Sequence, residues 1–120
     1  METVLIVDDH AGFRLQARRL LEADGYQVIG EAADGASAIQ ATRSLKPDVV
    51  LLDIQLPDAS GFDVARELSS LSSIVLISSR SAADYGPRVK QSGALGFISK
   101  VDLSGPEFSD TLHRSDVPSE

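Results

Sequence analysis

The sequence predicts an α/β domain of five strand–helix units around one parallel sheet, a (βα)5 arrangement. Three observations predict it. Five short apolar runs recur along the chain, at residues 4–7, 26–29, 49–52, 74–77 and 96–98. The runs VLIV, VVLL and IVLI are continuous rather than alternating, as expected of parallel strands covered on both faces. Between the runs lie segments of helical spacing, with Gly25, Gly35, Gly61 and Gly93 placed where helices should start or stop.

The first strand leads into a helix on which Phe13, Ala17, Leu20 and Leu21 recur at i, i+4, i+7 and i+8. The second strand precedes a helix carrying Ala36 and Ile39 three residues apart, and the third precedes one carrying Ala65 and Leu68. Pro87 falls in the fourth helical segment. Proline is tolerated in a first turn, so that helix is expected to start late and stay short. The last helix is expected to begin near Ser104. There Ser-Gly-Pro-Glu reads as a capping box, with Ser104 as N-cap and Glu107 reaching back, and Phe108 and Leu112 then face the sheet. The domain is expected to cover residues 1–114, with residues 115–120 a polar, frayed tail. Strand–helix alternation implies right-handed crossovers. The expected product is a flavodoxin-like three-layer sandwich with strand order 2-1-3-4-5.

The 120 residues fit one domain with a core of its own. With no cysteine, disulfides, thiol chemistry and cysteine-held zinc are excluded. A net charge of −7 argues against a nucleic-acid surface and against binding to an anionic membrane. Apolar runs of about four residues fall far short of a bilayer span of about 20. The start METVLIVDDH lacks a basic segment and meets two aspartates at once, unlike a signal peptide. A cytoplasmic location is the expectation.

The residues at the carboxyl end of each strand carry the chemistry. Strand 1 ends in Asp8-Asp9, strand 3 in Asp53, strand 4 in Ser78-Ser79 and strand 5 in Ser99-Lys100. Ligands of open parallel sheets bind beyond the carboxyl ends of the strands, at the switch point between strands 1 and 3. Three carboxylates, a hydroxyl and an ammonium should converge there. Two carboxylates about 4 Å apart repel by roughly 4 kcal/mol at an effective dielectric near 20, so the cluster calls for a cation. Its expected ligands are hard oxygens without histidine, which favours Mg²⁺ over zinc. A carboxylate held beside Mg²⁺ and a lysine can attack a phosphoryl group, while both cations stabilise charge on its oxygens. Each residue also has a plainer reading. Asp8-Asp9 can cap the helix opening near Ala11, Asp53 can be a loop acid, Ser78 a loop-entry serine and Lys100 a solvated lysine. Their placement at the ends of four different strands favours the joint reading.

With these residues in view, the sequence resembles the receiver family of two-component response regulators from Thr3 to about Leu112. VLIVDDH resembles the family's acidic pair, and VVLLDIQLPDASGFD its phosphoacceptor segment. IVLISS resembles the switch segment, and GALGFISK the final strand with its lysine. The resemblance implies that Asp53 accepts the phosphoryl group, that Pro57 shapes the next loop and that Gly61 opens the next helix. Lys100 and Ser78 would assist, with Ser78 and Phe97 forming the switch. Asp9 would bind Mg²⁺ directly, Asp8 more through water, and the Gln55 carbonyl would add a further ligand beside Asp53. Gln55, Ser79 and Arg80 would flank the phosphoryl group, Arg80 shielding it from water. On phosphorylation Ser78 would swing toward the new oxygens, and Phe97 would turn from an exposed rotamer into the vacated space. Alternatively, Phe97 is plain core in both states.

The implied function is a signalling switch rather than an enzyme with its own substrate, assisting only its own phosphorylation and dephosphorylation. A sensor histidine kinase would supply the phosphoryl group. An output domain or partner would read the helix 4–strand 5–helix 5 face, and a homodimer is a further assembly this reading allows. GEAADG at 30–35, with the acidic pair, most resembles receivers that precede helix-turn-helix output domains. Two departures bear on the details. Val101 follows Lys100 where the family usually has proline and a cis bond, leaving that geometry open. Ser79 stands where alanine is common, adding a donor near the phosphoryl group. An aspartate-nucleophile phosphohydrolase would need D-x-D after strand 1, where His10 stands instead. No glycine-rich nucleotide or flavin motif follows a strand. The complete Asp/Asp/Asp/Ser/Lys set argues against a degenerate receiver.

Overall fold

The computed structural model describes residues 2–113. Five parallel strands pair in the order β2-β1-β3-β4-β5. They are β1 (Thr3–Val7), β2 (Gln27–Ala32), β3 (Val49–Asp53), β4 (Ser73–Ser78) and β5 (Gly96–Ser99). The connecting helices are α1 (Ala11–Ala23), α2 (Gly35–Leu45), α3 (Gly61–Leu68) and α4 (Arg88–Gln91), and α5 (Gly105–His113) follows β5. Short 3₁₀ turns precede α4 and α5, at Ala82–Asp84 and Lys100–Asp102. The expected tail lies outside the described residues.

The continuous apolar runs are explained by which way successive residues point. Val4, Ile6, Val49, Leu51, Val75, Ile77 and Ile98 face a core closed by Ala17 and Leu21 of α1 and by Phe108 and Leu112 of α5. Leu5, Val7, Val50, Leu52, Ile74 and Leu76 face a second core closed by Ala38 of α2 and by Phe62, Ala65 and Leu68 of α3. Both sheet faces are therefore buried, and strand residues of either parity must be apolar.

The second strand differs from its expected position at 26–29. It begins at Gln27 and runs on to Ala32. Tyr26 belongs to the turn leaving α1, where its N–H donates to the Leu21 carbonyl at 3.1 Å. Its ring lies in the first core, edge-on to Phe108 at 4.9 Å. Polar Glu31 extends the strand because Arg14 and Arg18 of α1 hold its carboxylate at 2.9 and 3.0 Å. Burial alone would raise that carboxyl, and the two guanidiniums more than offset it and hold it low.

Pro87 acts as expected. It is the N-cap residue of α4, a helix of four residues. At α5 the Ser104 hydroxyl accepts from the Glu107 N–H at 3.1 Å, the forward arm of the expected capping box. The bond between Lys100 and Val101 is trans, like every peptide bond among the described residues.

Candidate functional site

Parallel strands bring their carboxyl ends to one edge of the sheet. Asp8 follows β1, Asp53 closes β3, Ser78 closes β4 and Lys100 follows β5. Asp8 is fully buried and Asp53 nearly so. The Lys100 ammonium reaches both, 2.6 Å from Asp8 Oδ2 and 3.3 Å from Asp53 Oδ2. The Phe13 ring lies 4.6 Å from it on another side. The remaining carboxylate oxygens take main-chain donors. Asp8 Oδ1 accepts from the His10 N–H at 2.8 Å, and Asp53 Oδ1 from the Gln55 N–H at 3.1 Å. Arg14 holds the main chain here by donating to the Asp8 carbonyl at 2.6 Å.

Asp8 is thus not the helix cap that its position allowed. His10 is the N-cap residue of α1 and makes no side-chain capping bond. Lys100 is likewise not a free surface lysine. Burial would lower its pKa, but the Asp8 and Asp53 carboxylates outweigh that and raise it. For Asp53 burial dominates and pushes the carboxyl up to about 6. The Gln55 N–H pulls against that, the Asp8 charge adds to it and Lys100 opposes it.

One ammonium among Asp8, Asp9 and Asp53 leaves the cleft with surplus negative charge, and the donors fit a hard divalent cation. Asp8 is already engaged by Lys100 and a main-chain N–H, whereas Asp9 is exposed and, among the described residues, is paired with the His10 side chain alone, at 3.0 Å. That leaves Asp9 the freer ligand. The expectation of a cluster without histidine is corrected. Nδ1 of His10 lies within ion-pair reach of both Asp8 and Asp9, and one ligand atom from each of the three falls within a 4.8 Å span. The cause is the tight step from β1 into α1, which turns residue 10 back over the acidic pair. The His10 side chain is 73% exposed.

The buried Ser78 hydroxyl accepts from the Arg80 N–H at 3.1 Å and shares a 2.7 Å hydrogen bond with the Tyr85 hydroxyl. Among the described residues its hydrogen bonds do not reach the carboxylate cluster. Gln55, Ser79 and Arg80 are exposed, and they sit one or two residues beyond Asp53 and Ser78 in the chain. Phe97 is half-buried rather than exposed, because Tyr85 fills the space beside it, with ring centroids 5.7 Å apart. Sequence reasoning passed over Tyr85. Its signal was an aromatic with a polar end in an otherwise small and polar stretch, seven residues after Ser78.

A family model described as the response regulator receiver domain matches residues 4–114. A Pseudomonas aeruginosa protein described as a candidate transcriptional regulator is 43% identical over 103 residues, covering 83% of this chain and 50% of that protein. The response regulator GacA of Pseudomonas viridiflava is 36% identical over 104 residues, covering 83% of this chain and 49% of GacA. The chain therefore spans about half the length of the curated relatives it matches. Among solved structures, the signal receiver domain of NarL from Mycobacterium tuberculosis superposes with a TM-score of 0.84 at 33% identity, covering 95% of this chain and 94% of that one.

Proposed function

The chain belongs to the response regulator receiver domain family of two-component signalling, and on that premise we propose that Asp53 is its phosphoacceptor. The observation that carries the reading is Lys100 bridging the buried carboxylates of Asp8 and Asp53 at the strand ends. An Asp53 oxygen attacks the phosphorus of a phosphohistidine on a sensor histidine kinase. The O–P bond forms as the P–N bond breaks, and the freed imidazole keeps the electron pair and takes a proton from solvent. Lys100 then faces the oxygens of the new aspartyl phosphate, and Ser78 donates to one of them. Asp9, Asp8, Asp53 and the Gln55 carbonyl would hold Mg²⁺, which when bound offsets charge on the carboxylates and the phosphoryl oxygens. Gln55, Ser79 and Arg80 flank the group, with Arg80 screening it from water. An output domain or partner reads the α4–β5–α5 face, and a second copy of the chain is another partner for that face.

The test is intact-mass measurement after incubation with acetyl phosphate and Mg²⁺. The expected result is a gain of one phosphoryl group per chain. No gain, with the protein folded, would overturn the reading. The decay of that adduct also tests the flank: an Arg80→Ala chain should lose it several-fold faster, and an equal rate removes Arg80 from the role.

The metal is tested by thermal melts. Millimolar Mg²⁺ should raise the melting temperature, because only the folded chain assembles the acidic cluster. Asp9→Ala should weaken Mg²⁺ binding more than Asp8→Ala, since Asp8 is already occupied by Lys100. A melt indifferent to Mg²⁺, together with labelling that proceeds in chelator, would count against the metal.

A further inference from the structure

We propose that Tyr85 is a positioning residue for the switch: its hydroxyl holds Ser78 at rest, and a phosphoryl group on Asp53 must win Ser78 from it. This rests on the reading of Asp53 as phosphoacceptor and of Ser78 as the hydroxyl that meets the phosphoryl group.

The Ser78 hydroxyl has one proton to donate and two lone pairs. One lone pair takes the Arg80 N–H, and the remaining contact is the 2.7 Å bond with Tyr85. If Ser78 donates in that bond, its single proton is committed to Tyr85. If Tyr85 donates, the bond still breaks when Ser78 turns toward the carboxylate cluster. In either arrangement the move costs the Ser78–Tyr85 hydrogen bond. Tyr85 bears the loss differently from Ser78. It is only half-buried and lies between exposed Asp84 and Gly86, so its freed hydroxyl can turn to water.

The Tyr85 ring carries the event outward. It is held edge-on by Phe62 of α3 at 5.3 Å and packs at a tilt on Phe97 of β5 at 5.7 Å. A ring that leaves Ser78 must repack against both. Phe97 then responds to Ser78 through Tyr85 rather than by entering an empty space. The neighbouring backbone can follow. Gly86 has a φ of +57° and Pro87 is the N-cap residue of α4, so release of Tyr85 acts on the turn that leads into that four-residue helix.

The plain alternative is a packing aromatic whose hydroxyl happens to find a partner. Tyr85→Phe separates the two, because it keeps the ring and removes only the oxygen. The experiment is calorimetric titration of the whole chain with beryllofluoride and Mg²⁺, a phosphoryl mimic. A hydrogen bond of ordinary net strength corresponds to about a two- to tenfold change in an equilibrium, so Tyr85→Phe should bind beryllofluoride tighter by that factor. Ser78→Ala should bind it more weakly. In the Ser78→Ala background, Tyr85→Phe should change nothing, since no hydroxyl remains to compete for. Unchanged or weaker binding by Tyr85→Phe would overturn the proposal. So would an equal gain in both backgrounds, which would mean altered packing. If the parent chain binds no beryllofluoride, the phosphoacceptor reading falls and this inference with it. Binding by the parent without the Tyr85 effect sinks the inference alone.

A second readout covers the case in which Tyr85→Phe folds poorly. The chain has two tyrosines and no tryptophan, so in Tyr26→Phe protein the tyrosine emission comes from Tyr85. It should change on adding beryllofluoride, and should stay constant once Ser78→Ala is added. Constant emission in the Tyr26→Phe protein would contradict release of the hydroxyl.

Discussion

An Asp53→Asn chain should take up no phosphoryl group from acetyl phosphate and, free of metal at neutral pH, should melt above the parent. The first effect follows from nucleophilicity. The amide oxygen carries no full charge, so the O–P bond does not form while the shape of the side chain is kept. The second follows from the sign of the pKa shift. Burial, aided by the Asp8 charge, raises the Asp53 carboxyl to about 6, against an unfolded value near 4. Between these values the folded chain holds more protons than the unfolded one, so stability falls as pH rises through that interval. The stability that protonated Asp53 lends is complete below about pH 4 and gone above about 6. A shift of roughly two units corresponds to on the order of 2–3 kcal/mol at neutral pH, the penalty that asparagine escapes. Lys100 keeps its 2.6 Å partner Asp8 in the variant, so no buried ammonium is left unpaired. Melts of the two chains in chelator should diverge above pH 6 and converge near pH 4. Labelling equal to the parent would unseat Asp53 as acceptor, and a lower melt for the variant at pH 7.5 would reverse the electrostatic account.

That cluster was legible in the sequence because of what a parallel sheet does to chain order. Once VLIV, VVLL and IVLI are strands of one direction, the residues after them share an edge, and Asp8, Asp53 and Lys100 need no further information to meet, while Ser78 shares the edge but turns to Tyr85 instead. The strand order β2-β1-β3-β4-β5 has a related reason, since five alternating units with both faces covered leave few arrangements. The features that stayed hidden depend on side chains crossing between elements. Gln27–Ala32 reads as a broken strand until Arg14 and Arg18 are seen to hold Glu31. His10 joins Asp8 and Asp9 through the turn into α1, which spacing does not reveal. Tyr85 lies in a stretch without periodicity, and only the folded loop brings its hydroxyl to Ser78. Phe97 is legible as an aromatic on the last strand, but Tyr85 beside it is not, and Phe97 rests half-buried, between the exposed and the core alternatives.

Replacing Gly61 with alanine should cost more than any comparable change on the surface, and should strike the proposed phosphoacceptor, Asp53, at the same time. Gly61 opens α3 directly over the end of β3. Its N–H donates to the Ile54 carbonyl at 2.7 Å. A Cβ there would lie 2.4 Å from the Asp53 carbonyl oxygen and 2.5 Å from the Ile54 Cα. Both are main-chain atoms, which cannot rotate away as a side chain can. Either α3 withdraws, loosening Phe62, Ala65 and Leu68 from the second core, or residues 53 and 54 shift and carry the Asp53 carboxylate with them. Overpacking of a core costs about 1–3 kcal/mol, and a backbone clash belongs at or beyond the upper end. For a domain of this size that is a melting temperature lower by roughly 10 °C or more. Gly12 provides the internal control. It lies in α1 with nothing within 4 Å of its would-be Cβ, and alanine is the better helix former by up to about 1 kcal/mol. Gly12→Ala should therefore be neutral or slightly stabilising, while Gly61→Ala loses stability and beryllofluoride affinity together. Equal melts for the two variants would mean that the approach of α3 to Asp53 is looser than the geometry states, and that the loop from 55 to 60, rather than Gly61, sets where the acceptor stands.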